Sequence, residues 1–116
     1  MRPLAIDEDA AAAIRVPAQV EPYVEVLGVA GAVEMLLAFG GAELDVSPNP
    51  SGRGELESLI GAEAVRALAE RSHRLARRVP LAKPWVAAVL RAGGESVAAI
   101  ARRLHVTDVT VRRWLR

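Results

Sequence analysis

One stretch of twenty residues constrains the fold more than the rest of the chain: VAAIARRLHVTDVTVRRWLR, residues 97–116. Apolar residues recur there at helical spacing on both sides of a short break. Ile100 and Leu104 mark one helix, and Val111 and Trp114 mark a second. The break at Leu104–Val106 has room only for a sharp turn. Thr107 is suited to cap the second helix, because its hydroxyl can accept from an unpaired amide of the first turn. Ala101 is small where the second helix must cross close by. Two helices joined in this way share a core of Ile100, Leu104, Val106, Val111 and Trp114, and that core orients the polar residues between them.

The charge distribution sharpens the reading. The net charge of +1 over 116 residues conceals a division. Residues 1–60 hold three arginines against ten acids, a net −7, and residues 61–116 hold twelve Lys/Arg against four acids, a net +8. A basic end of this kind points to a polyanionic partner; the alternative is that the acidic half pairs with the basic half. The chain is 52% hydrophobic but 3% aromatic, which suits short, closely packed helices and a modest core, so self-association is expected. There is no cysteine, hence no disulfide and no thiolate site. No apolar run is expected to reach the roughly 20 residues of a membrane span. The opening MRPLAIDEDAAAAIRV is interrupted by an acidic triplet and does not read as a secretory signal. A cytoplasmic location follows as the expectation. His73 and His105 stand apart, with no acid cluster around either, so no metal or cofactor is expected. No nucleophile–base pair or paired-carboxylate site is legible, and GVAGAVE lacks the lysine and preceding strand of a phosphate loop, so an enzyme is not expected.

The pattern over 97–116 resembles the helix-turn-helix modules with which bacterial proteins read DNA. The turn residue is commonly glycine in such modules; here it is His105, among the residue types enriched in left-handed backbone. In this frame the second helix would enter the major groove of double-stranded DNA. Its outward set is Thr107, Asp108, Val109, Arg112, Arg113 and Arg116, the candidate base readers. Arg112 or Arg113 could pair bidentately with guanine, and Val109 could touch a thymine methyl. Asp108 has two readings, a carboxylate placed for the helix dipole or an acceptor for a cytosine amino group. Arg77, Arg78, Lys83, Ser96, Arg102, Arg103 and Thr110 are the candidate phosphate contacts, giving affinity without sequence information.

Upstream, Asp7 can open a short helix with Glu8 and Asp9 at its positive end. PYVEVLG and VAGAVEMLLAFGG read as helices, the second presenting Val29, Ala32, Val33, Leu36 and Leu37 on one face and stopped by Gly40–Gly41. AELDV alternates as a short strand, and SPNPSGRG is a loop. The pattern then partly recurs at an offset of 33 residues. Ile60–Gly61 stands where Leu27–Gly28 stood, Val65 where Ala32, Leu68 where Met35, and Val79 where Val46, although His73–Arg74 replaces Gly40–Gly41. KPWVAAVLRAGG predicts a further helix with Pro84 in its first turn and Gly93 after its end.

VLGVAGAVEMLLAFGGAELDV followed by LIGAEAVRALAE and RRVP, ahead of SVAAIARRL, resembles the Mor family, middle-operon transcription activators of Mu-like phages, over roughly residues 20–116. The resemblance implies a mainly α protein with an N-terminal helical dimerisation region, one or two short strands, and a C-terminal helix-turn-helix. On this reading residues 1–16 are an arm, 17–80 the dimerisation region and 81–116 the DNA-binding domain. A homodimer through 17–80 would read a two-part DNA site, and RNA polymerase is a further partner that the resemblance implies. An unpaired strand edge at 43–46 would invite the same strand of a second copy. The alternatives are a DNA-packaging or recombination accessory protein, and a helix-turn-helix that docks on protein.

Overall fold

A computed structural model describes residues 4–44, 46 and 54–116. Among them the chain is mainly helical: α1 (Glu8–Ala11), α2 (Glu21–Phe39), α3 (Glu55–Ile60), α4 (Ala62–Glu70), α5 (Lys83–Ala92), α6 (Val97–Leu104) and α7 (Asp108–Trp114), with a 3-10 turn at Ser72–Arg74. The contacts divide the chain into two compact units, one of residues 17–81 and the other of 82–116 together with the N-terminal segment.

In the 17–81 unit, α2 bends where the sequence places its glycine. Gly28 has φ 73° and ψ 175°, a conformation open almost only to glycine, and it separates two helical halves. Gly61 has φ 87° and ψ 156° between α3 and α4. The 33-residue repeat is thus a repeat of backbone as well as of residue type. Ala32 and Val65 are buried, as are Met35 and Leu68. These counterparts bring α2 and α4 together around a core that also holds Val20, Tyr23, Val33, Leu36, Leu56 and Val79. The apolar face of α2 is rotated from the expected one: Met35 is fully enclosed, while Leu37 is exposed and Val29 half-buried. By length and composition α2 could cross a membrane, contrary to expectation, with 19 residues and a mean hydropathy of 1.5. It is nevertheless broken at Gly28, carries Glu25 and Glu34 on exposed positions, and buries Val33, Met35 and Leu36 in the protein core.

The expected strands are reduced to one antiparallel bridge between Glu43 and Arg78, and no strand forms among the described residues. The Gly41 amide donates to the Val79 carbonyl at 2.7 Å, and the Val79 amide to the Ala42 carbonyl at 2.9 Å. At Glu43, the first described residue of the edge expected over 43–46, the bridging partner comes from the same chain's second repeat. Asp45 and the loop expected over residues 47–53 lie outside the described residues.

The second unit packs α5, α6 and α7 against one another. Residues 4–16, expected as an arm, belong to this unit. Asp7 caps α1 by accepting from the Ala10 amide at 3.1 Å, and Ala11 is buried as α1 packs on α5. The carbonyl of Ala5 lies so close to Gly93 that a β-carbon there would collide with it. Trp85, Val86, Val89 and Leu90 of α5 join Ile100, Leu104 and Val111 in the core.

Candidate nucleic-acid interface

The orientation of α7 follows from three local devices. Ser96 caps α6 by accepting from the Ala99 amide at 3.1 Å. His105 ends that helix at φ 56° and ψ 45°, the left-handed conformation expected of the turn. Its amide donates to the Ala101 carbonyl, and that of Val106 does the same at 3.1 Å. Thr107 then caps α7, its hydroxyl accepting from the Thr110 amide at 3.2 Å. Val111 is fully buried and anchors α7. Trp114 is only half-buried, as is Val106, so of the core residues expected after the turn only Val111 is fully enclosed.

With Val111 inward, Asp108, Val109, Arg112, Arg113 and Arg116 are all exposed. Val109 is 66% exposed, a large apolar side chain with no packing role to explain it. Arg113 and Arg116 make no ion pair among the described residues, whereas Arg112 does: its Nη2 lies 2.8 Å from Oδ2 of Asp108, one helical turn back. Thr107, expected among the base readers, has its hydroxyl engaged as the cap and also within 3.0 Å of the Thr110 hydroxyl. The same pairing occupies Thr110, expected at a phosphate. Ser96 is likewise exposed, with its hydroxyl given to the cap of α6.

The remaining phosphate candidates separate. Arg102 is exposed on α6 and Lys83 is half-buried at the start of α5. Arg103 is a correction. It bonds through Nε to Oε1 of Glu95, with both side chains largely enclosed at 17% and 10% exposure, so its charge is spent inside the module rather than presented to a partner. Arg77 and Arg78 lie in the 17–81 unit and both pair with Glu43, at 3.1 and 3.3 Å. Arg78 also donates to the Gly41 carbonyl at 3.0 Å, which ties it to the bridge it helps form.

The opposite charges of the two halves meet within the 17–81 unit. Arg74 grips Glu25 with two hydrogen bonds of 2.8 Å, and Arg71 adds a third at 3.2 Å. The bonds from Arg74 and then Arg71 hold the Glu25 carboxyl down to about 2. Four of the arginines counted at the basic end therefore pair with two acids of the first half, Glu25 and Glu43. In the 82–116 unit, Arg102, Arg113 and Arg116 are exposed and make no ion pair among the described residues.

Sequence reasoning missed Glu95. Nothing in its spacing marks it as the partner of Arg103: it lies outside α6, and only the turn after α5 brings it back onto that helix. One of its carboxylate oxygens is buried without a hydrogen bond, which makes Arg103 its main compensation. Among the described residues, no group of His and acidic side chains could hold a metal ion. The sequence matches no family model, and no curated protein or solved structure matches the chain.

Proposed function

We propose that this chain is a sequence-specific double-stranded DNA-binding transcription regulator of phage or prophage type, acting in the cytoplasm and reading the major groove with α7. The observation that carries the reading is the outward face of that helix. Capped by Thr107 and anchored by Val111, it presents Val109, Arg112 and Arg113 together, and Arg116 is exposed just beyond its end at Trp114. A solvated helix has no need of a 66% exposed valine among its arginines. A helix in a DNA groove uses both, arginine for guanine and an apolar contact for thymine. Arg102 on α6 is placed to add a phosphate contact, and residues 105–107 set the angle between the helices.

We further propose a homodimer through residues 17–80, because one short reading helix makes few base contacts and a two-fold pair doubles them. Among the described residues of that region, Leu37 and Leu59 are large apolar side chains left exposed and available to such a contact. The resemblance to Mor activators supports a promoter role, with RNA polymerase as the further partner.

Selection of duplexes from a random pool tests the reading. Enrichment of one site, with a two-fold repeat if the dimer holds, is the expected result. A pool that emerges without any preferred sequence would contradict it.

A further inference from the structure

The reading helix carries one acid, and its placement assigns it a part in base selection. We propose that Asp108 is a positioning residue that holds the Arg112 guanidinium in a guanine-reading pose; this rests on α7 reading the major groove. The pair spans one turn of α7, Arg112 Nη2 to Asp108 Oδ2 at 2.8 Å, with both side chains exposed and clear of the core. The outward arginines therefore differ from one another. Arg113 and Arg116 have no carboxylate partner among the described residues. Arg112 is tethered.

Tethering matters because an arginine side chain is long and flexible, while its fork reads guanine only when both donors point together. One bond to Asp108 fixes the plane of the fork, and its remaining N–H groups can still reach O6 and N7. The same bond takes up Oδ2 of Asp108 and turns the carboxylate toward its own helix. A dipole-serving acid in the first turn requires no partner, and Asp108 has one in Arg112.

The cost of the device is also legible. A carboxylate beside the DNA backbone repels phosphates, so it lowers affinity for every sequence while sharpening the choice of one base. Its removal should move the two quantities in opposite directions, which loss of a merely structural acid would not do.

The test uses the whole chain as wild type, Asp108→Asn, Arg112→Lys and the double variant. Each is titrated against the duplex selected by the wild type and against that duplex with each base pair replaced in turn. The expected result is that Asp108→Asn loses roughly fivefold or more of the discrimination at one G·C pair. It should bind random duplex as tightly as the wild type or more so. Arg112→Lys, which keeps the charge but not the fork, should lose preference at the same pair, and the double variant should lose no more than Arg112→Lys alone. Full retention of discrimination in Asp108→Asn would overturn the proposal, and so would a loss confined to a different base pair, which would make Asp108 a direct reader. Absence of duplex binding by the wild type at about 50 mM salt would be a different failure, that of the DNA reading itself.

Discussion

His105 shows how much one residue's backbone decides. Its left-handed conformation turns α6 into α7, and an L side chain is strained there by about 1–2 kcal/mol. His105→Gly should therefore raise stability by about 1 kcal/mol, read as a higher thermal midpoint, and leave DNA binding unchanged because the side chain points into solvent. Arg103→Ala should do the reverse. It strands a largely buried Glu95, and a loss of about 3 kcal/mol in urea unfolding is expected; a variant as stable as the wild type would mean that the pair is ornamental. The capping and turn residues, Ser96, His105 and Thr107, were readable from sequence because their effects are local. The Glu95–Arg103 and Glu43–Arg78 pairs were not, because each depends on where a loop returns, and spacing along one helix carries no trace of that.

At the scale of elements, the legible part was the punctuation. Gly28, Gly61, Gly40–Gly41 and Gly93 all fall at helix breaks or ends, as residue type and position require. The faces were harder. Alanine and valine are spread around α2 densely enough that several rotations bury a similar area, and packing against α4 chose the one with Met35 inside and Leu37 outside. Among the described residues the expected short strand is a single bridge, Glu43 to Arg78. Gly61→Ala tests the break between α3 and α4. With φ at 87° and ψ at 156°, the substitution should cost about 1–3 kcal/mol by strain alone, since open space surrounds the site. Gly93→Ala acts by another cause, collision with the Ala5 carbonyl, and should release residues 4–16 to rapid proteolysis while α5 to α7 stay folded.

For the whole molecule, charge is the organising quantity. The acid-rich first half and base-rich second half are partly reconciled by Glu25 with Arg71 and Arg74, and by Glu43 with Arg77 and Arg78. Glu25 titrates near 2 in the folded state, below its value in the unfolded chain. The unfolded state thus binds the proton first, and the stability this contact contributes is present above about pH 4.5 and is lost as pH falls toward 2. The thermal midpoint should decline across that window, and Glu25→Gln should flatten the decline. The proposed dimer has its own check in sedimentation: the apparent mass should rise from one chain to two with concentration, and Leu37→Glu or Leu59→Glu should hold it at one. In the 82–116 unit Arg102, Arg113 and Arg116 are exposed without an ion pair among the described residues, and on the proposed reading this charge is aimed at a duplex. Duplex affinity measured against salt concentration tests it most directly. With Arg102 and Lys83 facing phosphates, the log–log slope should be about −2 or steeper for each chain. A slope near zero, or no binding at about 50 mM salt, would contradict the account.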